Sequence, residues 1–133
     1  MKKTLLIAIS LIVAINALAQ LDVNKPTVKT ATSGLDPSIV GRSIMDILTP
    51  RLKLNDDQNS NVTILVGQFL THKSNFMELK KSKPADYKTK LASEQRVLFD
   101  GLKGALNPEQ FIQLMDLKPS QAGTENAMGH LFY

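Results

Sequence analysis

Two histidines, His72 and His130, are the only imidazoles in the chain, and 58 positions separate them. A zinc site draws three or four His, Cys or carboxylate ligands at suitable spacing, and neither histidine sits in such a cluster. His72 reads as a solvated or partly packed ring on a helix. There is no cysteine, which excludes a disulfide framework, a thiolate metal site, a Cys nucleophile and a lipid-modified N-terminal Cys. Asp56 and Asp57 are adjacent at a predicted helix start, so their carboxylates point different ways. Paired acid–base chemistry needs groups within reach of one proton. No phosphate loop, nucleophile elbow or calcium loop is present. The sequence therefore nominates no catalytic residue, no metal ligand and no cofactor, and a non-enzymatic protein is expected. Lys73, Lys80, Lys81, Lys83, Lys88 and Lys90, set against Glu78 and Asp86, read as the solvated tip of a helical hairpin. The alternative is a basic rim that attracts acidic clients or anionic lipid headgroups by its long-range field, with Phe69, Phe76, Met77 and Leu79 as an apolar floor for unfolded chains.

A duplicated motif is the sharpest feature. Leu54-Asn55-Asp56-Asp57-Gln58 and Leu106-Asn107-Pro108-Glu109-Gln110 share the pattern L-N-x-[D/E]-Q, 52 positions apart. Asn55 and Asn107 are predicted N-caps, accepting hydrogen bonds from amides one turn on. Gln58 and Gln110 fall at the third helical position, where their side chains reach back to the cap residue's N–H in a capping box. The acidic residues of each first turn favour the positive end of the helix dipole. Leu106 and Phe111 have the spacing of a hydrophobic staple, while the first copy carries Asn59 at the equivalent place. Two capped helices serve folding whether or not they serve anything else.

Over residues 49–119 these motifs make the chain resemble the LTxxQ-motif family of periplasmic stress proteins, the Spy and CpxP type. Asn stands in both copies where that family's motif has Thr. The resemblance implies ATP-independent binding of unfolded client proteins, or sensing of envelope stress. It assigns no individual client-binding residue.

The elements that position these residues follow from hydrophobic period. Asp36-Pro37 is a cap followed by a proline at the first helical position. Val40, Ile44, Ile47 and Leu48 then make a helical stripe that Thr49-Pro50 is expected to stop. A second helix carries Val62, Leu65, Phe69, Phe76 and Leu79 on one face, with Pro84 as its breaker. A third runs from about Ala85 to Leu106, with Tyr87, Leu91, Leu98, Leu102 and Ala105 on one face. Gly101 and Gly104 weaken it by about 1 kcal/mol each relative to Ala, or admit a close helix neighbour. The fourth opens at Asn107 and ends before Pro119. The expected architecture is all-α: a small bundle of three to four helices over residues 36–119 with a central antiparallel hairpin turning near Lys81 to Pro84. A flexible lead over 20–35 precedes it. A C-terminal tail over 120–133 follows, and its apolar end, Gly129 to Tyr133, needs a groove to hide in.

The first nineteen residues read as an address. Met1-Lys2-Lys3 is a positive n-region, Thr4 to Ile15 an uncharged, mostly apolar run, and Ala17-Leu18-Ala19 a small-x-small site. This is the three-part secretory signal, cleaved after Ala19. Leu5 to Ala19 is 15 residues, interrupted by Ser10 and Asn16, short of the roughly 20 that span a bilayer. No later run is long enough, so no membrane span is expected in the mature chain. Losing Lys2 and Lys3 leaves fourteen basic against twelve acidic side chains, a net charge of +2, too little for a nucleic-acid footprint. Export without cysteine fits a bacterial periplasmic or extracellular protein better than a small eukaryotic secreted domain. The expected function is a chaperone-like or envelope-stress binding protein. The alternative is a structural accessory of the envelope that binds a protein partner through Leu131 to Tyr133. A core of about 80 residues is only marginally stable alone, which leaves a homodimer open.

Overall fold

The computed structural model describes residues 34–123 and 125–133. The signal over 1–19, and residues 20–33 of the lead, lie outside them. Six helices occur among the described residues: α1 (Pro37–Leu52), α2 (Asp56–Asn75), α3 (Leu79–Ser82), α4 (Pro84–Ala105), α5 (Pro108–Asp116) and α6 (Gly129–Phe132). The protein is all-α, a small bundle in which α1, α2, α4 and α5 carry the architecture. The other two helices are of four residues each. No described helix is long and apolar enough to cross a membrane.

Asp36 caps α1, its Oδ1 accepting from Ser38 N at 2.9 Å and Ile39 N at 3.2 Å. Ile44, Met45, Leu48 and Leu52 turn inward. The expected stop at Thr49-Pro50 is corrected: the helix runs through Pro50 to Leu52. Proline costs a helix the hydrogen bond from its own nitrogen, here the one to Asp46, and both residues are exposed where water can take the free carbonyl. The helix ends instead at Lys53, whose φ of 51° lies in the left-handed region and whose N–H returns to Thr49 O.

The second helix is shorter than its apolar period suggests. It ends at Asn75, so Phe76 and Leu79 lie beyond it. Phe76 turns edge-on to Tyr87 with ring centroids 5.6 Å apart. The buried face of α2 is Val62, Val66, Phe69, Leu70 and Lys73. Contacts between α2 and α4 pair His72 with Glu94, Leu65 with Gly101 and Gln58 with Ala105. Rising numbers meet falling ones, which makes the pair an antiparallel hairpin. α1 crosses the other flank of α2, with Gly41 near Leu70 and Thr49 near Asn59. Gly101 admits α2 closely: a Cβ there would lie 2.7 Å from Leu65 Cδ2, whereas one at Gly104 would meet nothing within 4 Å.

The core joins Ile44, Leu48 and Leu52 of α1 to Val62, Val66 and Leu70 of α2, Leu98 and Leu102 of α4, and Leu114 of α5. Met128 and Leu131 belong to the same cluster. Two apolar residues of the C-terminal tail thus join the core of the bundle. Burial of these apolar side chains drives the closure, and specific contacts fix it. Phe132 stacks on Phe99 at 5.5 Å, Gln95 Nε2 donates to Leu131 O at 3.0 Å, and Tyr133 Oη donates to Pro119 O at 2.7 Å. The groove that the terminal apolar residues require is in their own chain.

Candidate functional site

The two L-N-x-[D/E]-Q motifs fold against one another. Asn55 and Asn107 hold extended backbone and cap α2 and α5. Asn55 Oδ1 accepts from Gln58 N, and Asn107 Oδ1 from Gln110 N, both at 2.8 Å. Gln58 Oε1 accepts from Asn55 N at 3.3 Å and Gln110 Oε1 from Asn107 N at 3.0 Å. Each motif is a complete capping box.

The same glutamines also pair with each other. Gln58 Nε2 donates to Gln110 Oε1 at 2.8 Å, and Gln110 Nε2 donates to Gln58 Oε1 at 3.1 Å. The second N–H of each amide goes to the last carbonyl of a helix. Gln58 Nε2 reaches Ala105 O at 3.3 Å, and Gln110 Nε2 reaches Leu52 O at 3.0 Å. One cyclic amide pair therefore ties the starts of α2 and α5 to the ends of α4 and α1. Both N–H donors of both amides are used, and reversing either amide would set an oxygen against a carbonyl. Gln110 is 8% exposed, which makes its hydrogen bonds obligatory. No atom of this centre titrates near neutral pH or attacks a carbonyl; its chemistry is positional.

Asp56, Asp57 and Glu109 lie in the first turns of their helices, with Asp56, Asp57 and Glu109 all exposed. Leu106 is buried, with Phe111 partly buried against the core; Leu54 also packs there partly buried. Asn59, in the place where a staple residue would stand, accepts from Thr49 Oγ1 at 3.1 Å instead. His72 is exposed and hydrogen-bonds through Nδ1 to Glu94 Oε2 at 2.8 Å. His130 is far from it along the chain, in α6. Among the described residues no three His, Asp or Glu side chains are grouped to hold a metal ion.

Lys73 departs from its sequence reading. It was expected at a solvated hairpin tip, yet it is 2% exposed. Its Nζ donates to His130 O at 2.8 Å and to the main-chain oxygen of Tyr133. Burial, reinforced by the charge of Lys80, lowers its pKa to about 8. Burial and the charges of Lys73 and Lys80 also lower that of His130. The signal was present in the sequence: Val62, Val66, Phe69 and Lys73 follow the spacing of one helix face.

The outer surface carries apolar side chains. Ile39, Ile64, Val97 and Ile112 are each more than half exposed, and Met115 is 39% exposed. An open groove of about 690 Å³ runs along α1 and α2, past Gly41, Met45, Thr49, Asn59, Thr63 and Gly67. No family model, curated protein or solved structure matches the chain.

Proposed function

We propose that this chain is an exported, non-enzymatic binding protein of the bacterial envelope that holds unfolded clients without ATP. The observation that carries the reading is the amide pair of Gln58 and Gln110. The two motifs behind the resemblance to the LTxxQ-type stress proteins build one centre, rather than two unrelated caps. Exposed Ile39, Ile64, Val97 and Ile112 supply the scattered apolar contacts that a promiscuous binder of unfolded chains needs. The exposed lysines around the α2–α4 turn, Lys80, Lys81 and Lys83, supply the attractive field for acidic clients.

The test is light scattering of a chemically denatured client diluted into buffer without nucleotide. Equimolar protein should slow aggregation, and substituting Ile64→Glu with Val97→Glu should weaken that effect while leaving helicity intact. No suppression at tenfold excess of the purified protein rejects the reading.

The second reading is an accessory that docks on one protein partner. Exposed Ile64, at an indentation also lined by Leu65, Gly101 and Gly104, favours it. Truncating residues 129–133 does not test it, because Leu131 is part of the core. The surface double substitution does: loss of a single pulled-down partner with unchanged client suppression would select the accessory. A homodimer belongs to the same proposal, and sedimentation of the wild type and the double variant reads it directly.

A further inference from the structure

Positive charge is gathered at the turn of the α2–α4 hairpin. Lys80, Lys81, Lys83, Lys88 and Lys90 fall within residues 77–90 against Glu78 and Asp86, which gives this stretch a net charge of +3. The other described residues carry seven basic and nine acidic side chains, a net −2. All five lysines are exposed. Among the described residues the only side-chain ion pair joins His72 to Glu94, so no acidic side chain engages any of the five at ion-pair distance. Lys73 is not one of them: it is buried, and the main-chain oxygens of His130 and Tyr133 hold it.

The fold isolates this cluster. Arg51, Lys53, Asp56, Asp57 and Glu109 lie at the other end of the hairpin, where the amides of Gln58 and Gln110 meet. The 20 residues of α2 separate the two ends, by about 30 Å at 1.5 Å per residue. The Debye length in 0.1 M salt is about 10 Å, so the far acids do not offset the field of the lysines. The turn also lacks a channel for a polypeptide. The groove of about 690 Å³ runs past Gly41, Thr49, Asn59 and Gly67, towards the other end of α2. The lysines sit instead on α3, on its junction with α4 and on the first two turns of α4. Each ammonium rides a flexible four-carbon stem, so all five can settle together on a charged plane.

We infer that the α2–α4 turn docks reversibly on a bilayer surface bearing anionic phospholipid headgroups, with the Gln58–Gln110 end turned away. Clusters of about four to eight basic side chains bind such surfaces, each lysine strengthening the association about fivefold. The field that draws an acidic client in solution acts on a charged plane through all five lysines at once. The attachment is peripheral, since no described helix is long and apolar enough to cross a membrane. It goes beyond the holding of clients and does not rest on it.

The experiment is co-sedimentation of the intact folded protein with vesicles of phosphatidylcholine alone, and of phosphatidylcholine with about one-third phosphatidylglycerol, at about 0.05 M and about 0.5 M salt. The anionic vesicles should carry the protein down at low salt and release it at high salt, and the zwitterionic vesicles should leave it in solution. Lys81→Gln with Lys83→Gln should weaken partitioning about 25-fold. Arg51→Gln with Lys53→Gln removes the same charge from the far end and should change it less than about twofold. Both variants replace exposed side chains only. No pelleting with anionic vesicles at low salt overturns the proposal. So does an equal loss in the two double variants, which makes the attraction a matter of net charge. Capture of soluble polyglutamate through Lys81 and Lys83 without vesicle binding overturns it in favour of acidic polypeptides.

Discussion

Replacing Gln110 by Ala tests whether the two motifs act as one centre. The Gln110 side chain takes part in four hydrogen bonds: from Asn107 N, from Gln58 Nε2, to Gln58 Oε1 and to Leu52 O. A typical hydrogen bond contributes about 1 kcal/mol net, and a buried partner left unsatisfied costs more. Gln110 is nearly enclosed, so water replaces little, and the loss should be about 4 kcal/mol. A domain of ordinary stability has about 5–15 kcal/mol in total. Gln58 is only half-buried, and Gln58→Ala should cost about 2 kcal/mol, since water reaches the groups it abandons. The two residues share two of these bonds. The double variant should therefore lose less than the sum of the single losses, with a coupling of about 1–2 kcal/mol. Urea unfolding followed by circular dichroism at 222 nm, with wild type, both single variants and the double variant, measures all four corners. Additivity within about 0.5 kcal/mol would refute the single-centre argument, leaving two independent caps. Gln110→Glu sharpens the test. It keeps the shape but sets an oxygen against Leu52 O, so a stability equal to wild type at neutral pH would contradict the assigned amide orientation.

The glycines of α4 should part company: Gly104→Ala should stabilise by about 1 kcal/mol because helix propensity acts alone there, while Gly101→Ala should gain nothing because its Cβ meets Leu65 Cδ2 at 2.7 Å; equal thermal midpoints would contradict the packing. Lys53→Gly should stabilise by about 0.5–1 kcal/mol by relieving a left-handed residue at the end of α1, read as a shift in urea midpoint. Lys73 has a folded pKa of about 8, below its ordinary 10.5, so the unfolded chain binds more protons between those values and stability rises with pH there. The gain should be about 2 kcal/mol from pH 7 to pH 9.5, absent in Lys73→Met. Above pH 10 the raised pKa of Tyr87 works the other way, because the folded state then holds the extra proton.

Local chemistry was the most legible part of the fold. A cap depends on residues within one turn, so Asp36, Asn55 and Asn107 could be placed without knowing what the helices pack against. Helix ends set by tertiary packing were less so. Pro50 looks like a stop, but the carbonyl it leaves free is that of exposed Asp46, within reach of water, and the helix continues to Leu52. Phe76 and Leu79 keep the helical period of α2 although the chain has already turned to bring Tyr87 under Phe76. Period alone cannot see a turn whose apolar residues remain in phase.

The candidate sites divide along the same line. The duplicated motif showed that two glutamines would each close a capping box. It could not show that their remaining donors meet across 52 positions, because that depends on α1 and α4 ending beside the starts of α5 and α2. Lys73 fell on the apolar face by spacing, but a lysine there ordinarily extends its ammonium to water. Here the C-terminal residues cover it and offer two main-chain oxygens. Both non-local polar centres thus sit on α2, one in its first turn and one in its last. The helix that supplies the middle of the core is fixed at one end to the second motif and at the other to the chain's final turn. A change at either centre should therefore be felt through α2 as a whole. That makes the Gln58–Gln110 coupling and the Lys73 titration two readings of one element.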